Sequence, residues 1–328
     1  MKVLYILSAT DKFGGATKSF MNMLKGLVEK GVTATVVLPD RQGVYSDLQE
    51  LNIETLVLTF RPNTYTYASC LKDYILYVPR MIARFIVNHN ATNRLIDYIR
   101  NNNIDIVHTN VSVINIGYEA CKKLNIPHIY HFREYGDKDF GIKMFPSWSA
   151  FYKDINSSGS YSICITKDIQ RHHKLSARSK VIYNGIMPRK DKLEPIDKED
   201  YFLYAGHIQA TKGLLDILKA YTKYVKVSPK VNPLYIAGAI IDESYYQQAM
   251  DYAAKQGLED KIKYLGERSD ILLLMQKSRG VIVSSRFEGF GRCMAEAMFT
   301  GCLVIGHDTG GTNEQFDNGK AYTGGEIG

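Results

Sequence analysis

Residues Gly280 to Gly301 read GVIVSSRFEGFGRCMAEAMFTG, and the residue types in them run strand, turn, helix. Val281 to Ser284 is a short apolar, β-branched run of the kind that forms a fully buried strand. Glu288-Gly289-Phe290-Gly291 is a glycine-bearing turn, and a helix is expected from near Gly291 to near Gly301. Free amides at such a helix start, with the helix dipole behind them, suit a phosphate or a sugar hydroxyl. Gly289 and Gly291 let backbone approach a ligand closely. Glu288 precedes the helix and Glu296 lies within it, so the two carboxylates can serve different parts of one extended ligand. Each can accept hydrogen bonds from two vicinal hydroxyls. By itself the stretch also admits a plainer reading, with Glu296 a surface acid of the helix and the glycines ordinary turn residues.

The same strand–helix alternation extends through the chain. Strands are expected at 3–7, 33–38, 53–58, 104–108, 128–132, 161–165 and 180–183, then at 202–205, 234–237, 262–265, 281–284 and 303–305. Helices fall between them, including Leu214 to Val227 and Tyr245 to Lys255. Continuous apolar strands alternating with helices imply parallel sheets covered on both faces. Met187 to Asp200, MPRKDKLEPIDKED, has two prolines, many charges and little apolar content, as a linker does. The expected architecture is therefore α/β, with two doubly wound Rossmann-like domains facing each other across a cleft. We expect an N-terminal domain at 1–187, a linker at 188–200 and a C-terminal domain at 201–328. Ligands in such folds lie beyond the carboxyl ends of the strands.

A chain of 328 residues suits two domains. The five cysteines, Cys70, Cys121, Cys164, Cys293 and Cys302, are odd in number and form no C-x-x-C pair. A disulfide framework is not expected, and a reducing cytoplasm is the simplest compartment. The apolar run at the N-terminus reads as a first strand, not as a secretory leader. No stretch of 18 apolar residues predicts a transmembrane helix. Up to Ile186 there are 23 Lys and Arg against 15 Asp and Glu, and after it 18 against 19. An anionic partner on the N-terminal side is implied. No basic run, zinc finger or RNA-binding aromatic motif points to nucleic acid, so anionic lipid, or a lipid-pyrophosphate acceptor, is the economical choice.

Between Phe60 and Arg100 lie six basic residues and two acidic ones. Leu71, Tyr74, Ile75, Val78, Ile82, Phe85 and Ile86 form an apolar stripe at helical spacing, with Pro79 an expected kink. Two readings stand side by side. One is a core-facing helix with a solvated basic face, and the other is an element at the membrane surface or at an acceptor lipid.

From Ser284 to Glu314 the chain reads SSRFEGFGRCMAEAMFTGCLVIGHDTGGTNE and resembles the C-terminal signature of family 4 retaining glycosyltransferases of the GT-B fold. The likeness lies in the paired glutamates, the E-A-M helix, the following G-x-x-V-I strand and the turn Gly310, Gly311, Glu314. It implies that Glu288 approaches the donor sugar, that Glu296 holds the ribose hydroxyls, and that the amides of Phe290 and Gly291 face sugar and phosphates. Tyr204 to Gly213, YAGHIQATKG, resembles the family's glycine, basic residue and Lys-Gly pattern. There Lys212 would neutralise the departing pyrophosphate. His207 stands where the family usually has arginine, and is shorter and only partly charged at neutral pH.

In the first domain Gly14-Gly15 resembles the glycine loop facing the donor. His131, in H-F-R-E, resembles the histidine near the transferred sugar. Asn184, in V-I-Y-N-G-I, resembles the turn before the linker and is read as structural. Arg268 falls where the family contacts the base. The resemblance implies retention of configuration, no metal and no cofactor beyond the nucleotide-sugar, most readily a UDP-sugar. The acceptor would be a saccharide or lipid-linked saccharide in cell-surface polysaccharide synthesis, handled in the cytoplasm with peripheral contact on the inner membrane face.

Asp137-Lys-Asp139 matches the D-x-D of another transferase class but sits in a mid-domain loop. His172-His173 and His128…His131 lack the companions of a metal site. Neither a Walker phosphate loop nor a nucleophile elbow occurs. A UDP-sugar 2-epimerase of similar fold and a non-catalytic binding subunit are the alternatives. The family pattern continues past the G-G-x-x-E turn with further elements, so the second domain is expected to be truncated at Gly328.

Overall fold

A computed structural model describes the chain except for residues 13, 67–70, 176–177, 188–192 and 326–328, and the side chains of Asp73 and Tyr74. Cys70 and the first five residues of the expected linker lie outside the described residues. Contacts divide the chain into two units, Met1–Gly185 and Ile186–Gly328.

The strands of the first unit are β1 (Lys2–Ile6), β2 (Thr33–Leu38), β3 (Glu54–Val57), β4 (Thr64–Thr66), β5 (Ile106–Thr109), β6 (His128–Phe132), β7 (Ile142–Met144), β8 (Tyr161–Cys164) and β9 (Ser179–Val181). Its helices are α1 (Gly15–Glu29), α2 (Val44–Glu50), α3 (Leu71–Asn102), α4 (Ile116–Leu124), α5 (Asp137–Phe140), α6 (Trp148–Ser157) and α7 (Lys167–His172). Seven strands form one parallel sheet in the order β3-β2-β1-β5-β6-β8-β9. Alternate residues of β1 feed opposite faces. Leu4 and Ile6 join a core with Leu95, Ile99 and Ile116, whereas Val3 and Tyr5 join one with Phe20, Leu24 and Leu48. Burial of each such side chain contributes about 1.5–3 kcal/mol. Period-two burial on both faces requires helices on both sides, which is why the strands read as unbroken apolar runs.

The second unit has β10 (Phe202–Ala205), β11 (Leu234–Ala237), β12 (Ile262–Gly266), β13 (Gly280–Val283) and β14 (Val304–Gly306). Its helices are α8 (Leu214–Val227), α9 (Glu243–Lys255), α10 (Ile271–Lys277), α11 (Arg292–Phe299) and α12 (Gly310–Thr323). The sheet is again parallel, in the order β12-β11-β10-β13-β14. Each unit is thus doubly wound, as the alternation predicts. The order in which strands are added reverses between β1 and β5 in one sheet and between β10 and β13 in the other. Those switch points are where open α/β sheets leave a crevice at their carboxyl ends.

Residues 193–200 form no helix or strand but are held to the second unit. Lys198 Nζ donates to the carbonyls of Gln276 (2.7 Å) and Gly301 (3.2 Å), and Asp200 pairs with Lys230 and Arg279.

The stretch beginning at Leu71 departs from one of its two readings. It is helical through Pro79, where the Ile75 carbonyl loses its usual amide partner. Yet Leu71, Ile75, Val78, Ile82, Phe85 and Ile86 are 53–75% exposed. The core-facing reading of this stripe is overturned. Only the later part of α3 packs inward, through Ala91, Leu95, Ile96 and Ile99. That face lies about 110° round the helix from the stripe, by 100° per residue. Between the two parts, Asn88 accepts from the Arg61 amide (2.9 Å) and donates to the Arg61 carbonyl (3.0 Å). Among the described residues no helix is long and apolar enough to cross a membrane. The small antiparallel pair β4–β7 was not anticipated. Thr64–Thr66 and Ile142–Met144 are short and interrupted by polar residues, so neither reads as an apolar run.

Candidate functional site

In the second unit the loops after β10 and β13, neighbours at the switch point, are tied together. Arg286 N donates to Thr211 O (3.1 Å) and Ser284 Oγ to Lys212 O (2.9 Å). A short 3-10 turn, Ala210–Lys212, is followed by Gly213 at φ +73°. A Cβ there would lie 2.4 Å from Ser284 O, so only glycine lets the loops approach this closely. The result is an ion pair between Lys212 Nζ and Glu288 Oε2 at 2.8 Å, with the side chains 30% and 19% exposed.

Glu296, one turn into α11, pairs with Arg292 (2.7 Å) and is largely buried. Cys293 lies within reach of both glutamates and the lysine. Burial raises its thiol, the charges of Glu296 and Glu288 raise it further, and Lys212 opposes them. One side chain thus senses all three groups, which the sequence spreads over 85 positions.

The 288–291 turn is backed by the start of α12. Gly311 N donates to Glu288 O (2.7 Å), and a Cβ on Gly311 would fall 2.6 Å from Phe290 Cα. Gln315 Nε2 donates to the carbonyls of Phe290 and Gly291. With both carbonyls engaged on one side, the turn holds a fixed shape. Two helices therefore begin beside Glu288, and Thr312 Oγ1 is buried there without a partner among the described residues. Gln315 and Thr312 went unassigned in the sequence, although the Gly310-Gly311 pair marks the helix start they belong to.

His207 follows β10. Its carbonyl accepts from the Tyr204 hydroxyl (2.7 Å), while its ring has no hydrogen-bond partner among the described residues. Arg268 follows edge strand β12 and grips Asp270 through Nε (2.8 Å) and Nη2 (2.7 Å). It is exposed.

In the first unit Gly14 is the N-cap of α1, with no side-chain cap and no acid in the first turn, and Gly15 opens the helix. Asp11 stands beside this helix start, its Oδ2 3.2 Å from where a Cβ on Gly14 would sit. Thr10, in the same loop, is braced by Asp40 (2.8 Å) and accepts from Val44 N. His131 is the penultimate residue of β6 and is 4% exposed. Its Nδ1 lies 3.2 Å from His108 Nε2 and 3.3 Å from Arg133 Nη2, and its Nε2 has no partner among the described residues. Burial, then the charge of Arg133, then His108 hold the ring well below its ordinary value. Arg133 also donates to Asn110 Oδ1 (3.0 Å) and Asn184 Oδ1 (2.8 Å). Asn184, read as a turn residue, thus anchors a guanidinium beside the histidine. Glu134 is buried, accepts from Ser112 N and Oγ, and is pushed up to about 7 by burial.

The D-x-D lookalike is divided between two structural tasks. Asp139 caps the amides of Tyr135 and Gly136, and Asp137 pairs with His172. His173 bonds the Tyr152 hydroxyl and the Glu134 carbonyl, and His128 bonds Thr109.

Chemically, the second unit offers a cation, two carboxylates and two helix starts within one turn-and-loop cluster. That set matches an anion carrying vicinal hydroxyls. Residues 13–190 match the sequence profile of Glycosyltransferase Family 4, and residues 188–325 match that of Glycosyl transferases group 1. An uncharacterized glycosyltransferase of Methanocaldococcus jannaschii is 28% identical over 222 residues, covering 66% of this chain and 59% of the relative. The Vi polysaccharide biosynthesis protein VipC/TviE of Salmonella typhi is 24% identical over 173 residues, covering 48% and 29%. The chain thus spans less than two thirds of either relative's length. Among solved structures, HepE of Anabaena in complex with UDP aligns at a TM-score of 0.73 and 20% identity, over 96% of this chain and 82% of that one.

Proposed function

The chain belongs to Glycosyltransferase Family 4, and from that premise we propose that it moves a sugar from a UDP-sugar to a saccharide or lipid-linked acceptor, with retention of configuration. The observation that carries the reading is the Lys212–Glu288 pair at the β10/β13 switch point, beside the starts of α11 and α12.

In this reading the diphosphate lies against Lys212 and the amides of Phe290 and Gly291. The bond from the anomeric carbon to the diphosphate oxygen breaks, and negative charge grows on that oxygen. Lys212 and the helix starts stabilise it most at that moment, which is what lowers a barrier. The acceptor hydroxyl attacks from the face the diphosphate leaves, and its proton passes to a diphosphate oxygen. Glu288 orients sugar hydroxyls once donor binding draws Lys212 toward phosphate. Glu296 accepts from the ribose hydroxyls. Gly14, Gly15 and His131 contribute from the first unit, and His207 and Arg268 from the second. The nucleotide-sugar is a co-substrate, and Lys212 supplies the positive charge that the chemistry requires, so we assign no metal and no cofactor. UDP is favoured because HepE, of similar fold, was solved with it. Cell-surface polysaccharide synthesis is favoured by the Salmonella relative.

We place the protein in the cytoplasm, peripheral on the inner membrane face. The exposed stripe of α3 supports that placement. It presents six apolar side chains from one face, and Lys72, Arg80 and Arg84 accompany it along the same helix. Apolar insertion with basic flanks is the chemistry of an anionic bilayer surface.

Thermal shift against UDP-, GDP-, ADP- and dTDP-sugars tests the donor, because a ligand bound only to the folded state raises the midpoint. Product analysis then separates the reactions. Nucleotide release that depends on added membrane acceptor supports transfer. Conversion of the donor alone makes the protein a 2-epimerase, and binding without turnover makes it a binding subunit.

A further inference from the structure

His108 Nε2 and His131 Nδ1 face each other at 3.2 Å, with the rings stacked at 5.3 Å and 28°. Two neutral imidazoles sharing one contact can place the proton on either nitrogen, and the pair alone does not choose. Arg133 removes the ambiguity. Its Nη2 lies 3.3 Å from the same His131 Nδ1, and a guanidinium can only donate. The Oδ1 atoms of Asn110 and Asn184 hold Nε and Nη1, so the fork cannot swing aside. A proton on His131 Nδ1 would meet that N–H head on, whereas a lone pair there is met by two donors. In the neutral ring the proton then sits on Nε2, the buried nitrogen that has no partner among the described residues.

We propose that Arg133 is a positioning residue that locks His131 in the neutral Nε2–H tautomer, so that His131 acts as a fixed hydrogen-bond donor to a substrate oxygen and not as a base. The role toward substrate rests on the transfer reading above, whereas the tautomer does not. Burial and the two neighbouring groups keep the ring uncharged, consistent with a donor that adds no net charge. A hydroxyl or phosphoryl oxygen of the nucleotide-sugar is the acceptor this N–H fits. The N–H orients that oxygen without taking or giving up a proton.

Long-range proton–nitrogen correlation spectra of protein labelled with nitrogen-15 at its eight histidines test this, with His131 assigned by the signals lost in His131→Asn. Pyridine-type Nδ1 and pyrrole-type Nε2 are expected in the native protein and in Arg133→Lys, which keeps an obligate donor. Loss of that preference is expected in Arg133→Met. A pyrrole-type Nδ1 in the native protein, or an unchanged pattern in Arg133→Met, overturns the proposal. If Arg133→Met does not fold, the native and Arg133→Lys spectra decide it.

A second readout is nucleotide release at saturating UDP-sugar. Gln places an N–H near the ring Nε2, so His131→Gln should retain about tenfold more turnover than His131→Asn, the scale of one hydrogen bond. Equal loss in both overturns the donor role. No release by the native protein counts against the transfer reading, and the nitrogen spectra still decide the tautomer.

Discussion

Lys212 Nζ lies 2.8 Å from Glu288 Oε2, joining two loops 76 residues apart in sequence. The lysine is thereby held at the switch point before any ligand arrives, and the glutamate is compensated while it waits. Removing the lysine takes away both effects. Losing one preorganised oxyanion donor lowers turnover by roughly 100- to 1000-fold. Lys212→Ala should lose at least about 100-fold in nucleotide release at saturating donor. Near-native turnover would remove Lys212 from the mechanism.

Glu296 is paired with Arg292 within one helix, so its carboxylate is already oriented. A hydrogen bond to a charged group contributes about 1.5–3 kcal/mol. Glu296→Ala should weaken UDP binding by about tenfold or more in calorimetry, and an unchanged affinity would sink the ribose assignment.

Gly213 combines a positive φ with a backbone oxygen 2.4 Å from where a Cβ would sit. Gly213→Ala must move the Ser284 loop or the Lys212 turn. We expect a loss of about 1–3 kcal/mol of stability in denaturant titration, together with reduced turnover. An alanine variant as stable and active as the native protein would show that the two loops are not held by this approach.

Glu134 has a folded value of about 7 against an ordinary value of 4.5. A raised carboxyl favours the folded state below its unfolded value and loses that contribution as pH climbs to the folded one. The window therefore runs from about 4.5 to 7, and the effect is at most about 3 kcal/mol by linkage. Glutamine can accept the same two bonds from Ser112 without ionising. Glu134→Gln should raise the melting temperature, relative to the native protein, more at pH 8 than at pH 5. A gap independent of pH would show that Glu134 does not titrate there. The buried histidines work in the opposite sense. His108 and His128, depressed to about 3 by burial, stabilise the fold above pH 6.5 and cease to do so as the solution is acidified.

Ile82 and Phe85 are 56% and 72% exposed on the stripe of α3. The double change Ile82→Asp, Phe85→Asp should abolish co-sedimentation with vesicles containing anionic lipid while leaving the melting temperature nearly unchanged. Retained binding would place the membrane contact elsewhere.

Much of this architecture can be read directly from residue order. Strands such as Thr33–Leu38, His128–Phe132 and Phe202–Ala205 are buried on both faces, so each is an apolar run with clear ends. Lys212, Glu288 and Glu296 stand out in the sequence because they sit in long composite patterns that follow such strands, and the Lys212–Glu288 contact joins two of those patterns. The clamp on His131 does not stand out. Arg133 and Asn184 meet across 51 residues, and nothing local to either marks the contact. The stripe of α3 shows a different limit. Periodicity reveals that a helix has an apolar face, but not what that face meets.

The clasp of Asn88 on Arg61 divides α3, 32 residues and about 48 Å of continuous helix, into two thermodynamic compartments. Beyond it, Ala91 to Ile99 can open only with the core. Ahead of it, the turns from Leu71 can fray at little cost, because few buried contacts hold them. Selection can therefore rewrite the residues of the leading turns, and with them what the helix touches, without moving the free energy of folding.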